Sequence, residues 1–129
     1  MDRIVTEIFL EKPNFKEVSR VAKELNGHGI NTILLPPEDR NINTHLVIEQ
    51  QDLDEVRKLL NDLGVVYVEK EVMLIKLENK PGTMAAAATR IAEKGINLTY
   101  AFSVTMNDVY SLILLGSDDN EAALKALKS

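Results

Sequence analysis

Apolar positions along the chain switch between a period of two and a period near 3.6, and they do so twice. In the first half, residues 4–10, 30–35, 44–50 and 65–69 are rich in β-branched and aliphatic residues, which predicts strands. Between them Val18, Val21, Ala22 and Leu25 recur at helical spacing, as do Leu53, Val56, Leu59, Leu60 and Leu63, which predicts helices over residues 15–26 and 52–63. Gly64 follows the second stripe as a helix stop. In the second half, strands are predicted at 72–77, 96–105 and 108–115, with helices at 83–94 and 120–128. Met84, Ala87, Ala88 and Ile91 form the apolar stripe of the first of these helices, and Met106-Asn107-Asp108 reads as the turn of a hairpin.

The two halves are copies of one unit. A shift of 66 residues lays Gly29-Ile30-Asn31 on Gly95-Ile96-Asn97, the stripe from Val18 on that from Met84, Leu46-Val47 on Leu112-Ile113, and Asp52 on Asp118. Lys12-Pro13 meets Lys80-Pro81 only at a shift of 68, so the first copy carries two extra residues near its turn. Each copy reads strand, helix, strand, strand, helix, with a last strand clear only in the first. The expected fold class is therefore α+β: two ferredoxin-like βαββαβ units with antiparallel sheets and helices on one face, at 1–70 and 71–129. The missing last strand of the second copy leaves a sheet edge that must be short, covered or paired with a partner.

The stretch Glu78-Asn79-Lys80-Pro81-Gly82-Thr83-Met84 is the first place to look for chemistry. Pro81 fixes φ and Gly82 admits a backbone sign that other residues resist, so the chain turns there and enters a helix. The first N–H groups of that helix, around Gly82, Thr83 and Met84, lack intrahelical acceptors and lie at the positive end of the dipole, where a carboxylate would satisfy them. The plainer reading is a loop punctuated by Pro-Gly, with Thr83 or water capping the helix.

Composition narrows the alternatives. Each copy is about 60 residues long and marginal alone, so the two should share a sheet or a helix face. The net charge of −5 divides into −4 over residues 1–70, with nine basic and thirteen acidic residues, and −1 over 71–129, with six and seven. That leaves no basic footprint for nucleic acid. An RNA-binding sheet would also need exposed aromatics beside basic residues, and 4–10, 44–50 and 72–77 hold only Phe9. Cysteine is absent, which removes disulfides, thiolate metal sites and thiol nucleophiles. There is no apolar run of 18 residues and no signal-peptide core, so the expectation is a soluble cytoplasmic protein without a membrane partner.

Catalytic groups do not assemble in the sequence. His28 precedes a helix-terminating glycine and His45 opens a strand, without metal-ligand spacing, and both read as surface or structural residues. Ser19, Ser103, Ser111 and Ser129 lie outside any nucleophile-elbow pattern. Glu17, Glu24, Asp54 and Glu55 fall on polar helix faces, and Asp118-Asp119-Asn120 reads as a helix N-cap cluster. The expectation is a protein that is not an enzyme and uses no cofactor or metal.

The turn from Glu78 to Met84, the helix after it, Gly95-Ile96-Asn97-Leu98 and the strand Thr99-Tyr100-Ala101-Phe102-Ser103 together resemble an ACT domain, the small-molecule regulatory module of amino-acid metabolism. As a tandem pair the resemblance covers essentially the whole chain and is similar to small stand-alone tandem ACT proteins. It is weaker in the first copy, where Asn14 replaces the turn glycine and Phe15 follows. The resemblance implies an amino acid held at an interface between ACT units, with its carboxylate on backbone N–H groups of the turn and its amino group near the asparagine that opens the second strand. Carried over, the site comprises Asn79, Pro81, Gly82, Thr83 and Met84, with Asn97 and Leu98 as the facing wall. Asn97 could equally serve only the helix-to-strand turn, and Asn31 is read in that role. Tyr100 and Phe102 share a strand face with Leu98 and Val104 and are read as core. The expected partners are an amino acid, a second copy of the chain in a homodimer and, as a further possibility, a metabolic enzyme. The alternative function is an accessory subunit that keeps the fold without the pocket.

Overall fold

The computed structural model describes residues 2–11, 15–35 and 44–128. The element order is β1 (Arg3–Leu10), α1 (Phe15–Gly27), β2 (Thr32–Leu35), β3 (Thr44–Glu49), a 3₁₀ turn (Gln50–Asp52), α2 (Leu53–Asp62), β4 (Tyr67–Glu78), α3 (Thr83–Glu93), β5 (Leu98–Met106), β6 (Tyr110–Ser117) and α4 (Asn120–Lys128). The class is α+β, and β1–β3, β2–β3, β4–β6 and β5–β6 all pair antiparallel. Where the sequence pattern separates strands at 65–69 and 72–77, the structure has the single strand β4. Lys70-Glu71 interrupts the apolar pattern but supplies neither glycine nor proline to turn the chain, so the backbone stays extended through it. Lys12, Pro13 and Asn14, the first-copy counterparts of the glycine turn, lie outside the described residues.

The chain divides into two compact units, one formed by Val5–Lys70 and the other by Met1–Ile4 with Glu71–Ser129. In the Val5–Lys70 unit the strand order is β2-β3-β1, with the start of β4 beside β1. The Glu11 N–H donates to the Val66 carbonyl at 3.0 Å. Ile8, Leu10, Leu46 and Ile48 form the sheet side of its core; Val21 and Leu25 of α1 and Val56 and Leu60 of α2 close it from the helix side. These are the apolar stripes of the sequence, and fully burying each side chain stabilises by about 1.5–3 kcal/mol.

Two polar pairs fix this unit. His45 is buried, with Nδ1 2.8 Å from Oε2 of the equally buried Glu7 and its ring centroid 4.4 Å from that of Phe9. His28, by contrast, stays half exposed, with Nδ1 3.3 Å from Glu55 Oε1. Arg57 grips Glu69 through two bonds, Nε to Oε2 at 2.7 Å and an η-nitrogen to Oε1 at 2.8 Å, joining α2 to β4. The bonded guanidinium holds the Glu69 carboxyl below its ordinary value of 4.5.

In the other unit β4 lies between β1 and β6, and β5 is the outer strand. Its core joins Met73 and Ile75 of β4 and Leu115 of β6 to Ile91 of α3 and Ala123 of α4. The sheet edge that the second repeat leaves without a strand of its own is covered by β1: residues 2–4 belong to this unit, and the Asp2 carboxylate accepts the Lys76 N–H at 2.9 Å. The resulting order, β1-β4-β6-β5, is the ferredoxin-like arrangement with its last strand drawn from the start of the chain. One side-chain assignment is corrected here. Leu98 pairs with Ser117 but Tyr100 with Gly116, so a bulge at Thr99 shifts the alternation. Leu98 packs on the helix-side core, whereas Phe102 stands opposite Leu114, whose neighbour Leu115 faces the helices; Leu98 and Phe102 therefore occupy opposite faces.

Two outcomes follow from these contacts. A carboxyl held below its ordinary value stabilises the fold above pH 4.5 and loses that contribution as the pH falls through its native pKa. Arg57→Ala should therefore lower the urea midpoint at pH 7, and the gap to wild type should narrow as the pH is taken down to 3. Removal of residues 1–4 should bare the edge of β4 and produce concentration-dependent self-association, read by light scattering.

Candidate functional site

The β4–α3 connection is a closely bonded turn. Lys80 N–H donates to the Glu78 carbonyl at 2.9 Å and Thr83 N–H to the Lys80 carbonyl at 3.3 Å. The Thr83 hydroxyl lies 2.8 Å from the Glu78 carbonyl and 3.1 Å from that of Lys80, so it donates back into the turn and does not cap the helix. Asn79 anchors the turn to the β5–β6 hairpin: its N–H donates to the Val109 carbonyl at 3.0 Å and its Nδ2 to the Asn107 carbonyl. Asn107 Oδ1 in turn accepts the N–H groups of Val109 and Tyr110 at 2.8 and 2.9 Å. The hairpin turns at Asp108-Val109, since Asn107 N–H donates to the Tyr110 carbonyl.

Gly82 stands at the N-cap of α3 with φ 87° and ψ −7°. A Cβ added there would meet nothing within 4 Å, so the residue is glycine for its left-handed backbone and not for want of room in this chain. Its carbonyl accepts the Ala86 N–H at 2.9 Å. The N–H groups of Met84 and Ala85 meet no acceptor among the described residues, and no side chain caps the helix. They lie at the positive end of the α3 dipole.

A cleft of about 350 Å³ opens beside this turn, on the helix side of the sheet. Of the residues proposed from sequence it gathers Asn79, Gly82, Thr83 and Met84; Pro81 is exposed in the turn itself. Asn97 and Leu98 do not line it. They lie past the other end of α3, where Gly95 (φ 75°) closes the helix and Asn97 exchanges two bonds with Asp118, donating its N–H to Oδ1 at 3.2 Å and accepting the Asp118 N–H at 3.1 Å. The turn duty of Asn97 is thus carried by its backbone, and its exposed carboxamide meets no partner among the described residues. The larger cleft, about 700 Å³, is at that end, between Lys94 and Lys125. Both its carboxylates are already engaged, Asp118 with Asn97 and Asp119 with the Ala122 N–H at 3.1 Å, as the N-cap reading of this cluster requires. The smaller cleft is the better candidate, because its mouth keeps unpartnered donors.

Sequence reasoning missed the hairpin side of the site. Ser103, Met106 and Ser111 line the cleft beside Leu77 and Ile113. They come from strands about 25 residues further along, and only the β5–β6 and β4–β6 registers bring them to the turn. Among the described residues no group of three or more His, Asp or Glu could hold a metal ion, and no helix is long and apolar enough to cross a membrane.

The family match falls in the half that holds the turn. Residues 72–129 match the model of the ACT domain family, and this segment of the chain is an ACT domain. No curated protein matches the chain. Among solved structures it is similar to a Bacteroides thetaiotaomicron protein, with a TM-score of 0.75 at 22% identity over 99% of this chain and 88% of that one. It is also similar to the regulatory subunit of aspartate kinase from Thermus thermophilus, with a TM-score of 0.62 at 14% identity over 98% and 90%. Against the Clostridium acetobutylicum aspartate kinase the TM-score is 0.60 at 14% identity, over 96% of this chain and 32% of that longer one. At these identities the likeness is one of fold.

The left-handed φ at Gly82 makes a clean test of the turn. Gly82→Ala should cost about 1–2 kcal/mol in chemical denaturation through backbone strain alone, and Gly82→Asn less, because asparagine tolerates that region.

Proposed function

We infer that the protein is a non-catalytic, cytoplasmic, amino-acid-binding regulatory module, in which an amino acid is held between ACT units and its occupancy changes association or the grip on a metabolic enzyme. The observation that carries this reading is the cleft at the start of α3, inside the segment that is an ACT domain, lined by Met84 and Ala85, whose N–H groups meet no acceptor among the described residues. The carboxylate of an amino acid would take those donors at the positive end of the helix. The fold likeness to aspartate kinase regulatory subunits supports the regulatory role.

The position of Asn97 gives the reading its geometry. The eleven residues of α3 place Gly82 and Asn97 about 16 Å apart at 1.5 Å per residue, beyond the reach of one small ligand. A site using both therefore takes Gly82 from one chain and Asn97 from a second, and in a symmetric dimer the exchange is reciprocal, giving two equivalent sites. Asn97 offers an acceptor and a donor to the zwitterion without adding charge. Val5–Lys70 is a second ACT unit whose degenerate turn takes no part in the main site.

Thermal-shift screening of the twenty amino acids tests this. A ligand at about 100 times its dissociation constant should add about 2.7 kcal/mol to stability. Asn97→Ala should weaken that ligand without lowering the stability of the free protein, while Asn31→Ala leaves affinity unchanged. A flat screen at millimolar concentrations would replace this function with that of an accessory subunit without a ligand.

A further inference from the structure

Ser111 sits on β6, opposite Leu77 of β4 and Met106 of β5. It shares its strand face with Ile113, which packs on the helix-side core, so its side chain faces the cleft under the α3 turn. The residue is 7% exposed, and its hydroxyl meets no hydrogen-bond partner among the described residues. The Thr83 hydroxyl is engaged with turn carbonyls, the Asn79 amide with Asn107 and the Lys80 ammonium with Glu78 at 3.0 Å, whereas Ser103, the other strand hydroxyl lining the cleft, is exposed to water. Leu77, Met84, Met106 and Ile113 supply apolar walls, and no Asp or Glu lines the space.

We propose that Ser111 makes this cleft selective for α-amino acids with an uncharged side chain carrying a hydroxyl or carboxamide on a short apolar stem. The inference rests on the amino-acid reading of the site given above. A lysine-like side chain entering the cleft would lose water and gain no carboxylate. An aspartate-like one would lose water in a cleft whose lining offers its carboxylate only the exposed Lys80, already beside Glu78. A purely aliphatic side chain fits the walls but covers the Ser111 hydroxyl without bonding it, which leaves a buried polar group unpaired. A hydroxyl or carboxamide on the ligand satisfies that group while its stem contacts Met84 and Ile113.

Titration calorimetry on the full chain with the isosteric pair threonine and valine, the pair glutamine and methionine, and lysine and aspartate decides the matter. In whichever pair binds more tightly, the polar member should bind about 3- to 10-fold better than the apolar one, the range of one neutral hydrogen bond, and both charged amino acids should bind more weakly still. Ser111→Ala should abolish or invert that preference, with circular dichroism and the urea midpoint confirming the fold. Preference for the apolar member, tightest binding of lysine or aspartate, or an unchanged ratio in a folded Ser111→Ala would overturn the selectivity and leave the regulatory function standing. Absence of binding by every amino acid would overturn both. The wild-type ratios decide even if the variant fails to fold.

Discussion

A strand with an open edge exposes a row of amide and carbonyl groups, and for β4 that constraint governs how the whole chain is used. β6 covers one side of its second half, in register from Met73 to Glu78. On its other side, α4 follows β6 directly, and among the described residues no strand after α4 pairs with it. Residues 2–4 fill the place, so that Val5–Lys70 is an insertion between the first strand segment of one unit and the rest of it. Given a completed sheet, Met73, Ile75 and Leu115 present a continuous apolar face, and α3 can lie on it with Ile91 buried and its N-terminus held at the mouth of the cleft.

The site inherits its rigidity from that arrangement. Asn79 binds the turn to the hairpin loop, and Asn107 braces the hairpin from within, so the start of α3 and the ends of β5 and β6 are held by hydrogen bonds that no ligand need supply. Preorganisation of this kind lowers the ordering cost of binding. The open donors belong to Met84 and Ala85, on the helix itself, where the backbone is least able to move away.

Much of the fold was legible because both signals, helical stripes and glycine stops, are local. The stripes of Val21 and Leu25, of Val56 and Leu60, and of Ala87 and Ile91 became the buried helix faces, and the turn at Gly82 adopted its left-handed φ. What could not be read depends on register or on distance along the chain. Lys70-Glu71 looked like a break, but only pairing decides whether a polar dipeptide bends. The bulge at Thr99 reverses the face of Leu98 relative to Phe102, and an alternation rule applied to a bare sequence has no means of placing an inserted residue. Glu7 and His45 stand 38 positions apart, and no local pattern marks the buried contact that joins them. Ser111 belongs to no sequence motif, and only the β4–β6 and β5–β6 registers bring it beside Leu77 and Met106.

The insertion also sets an order of events as the chain is made. Every strand and helix of Val5–Lys70 is contiguous in sequence, so that unit holds all of its contacts once residue 70 has been synthesised. The other unit closes only when Asp2 reaches Lys76, a separation of 74 residues, and contacts so distant in sequence carry a larger loop-closure cost and form late. Residues 2–4 have no partner in this sheet until the strand around Lys76 has been made. The half that carries the cleft therefore needs segments 74 residues apart to complete its sheet.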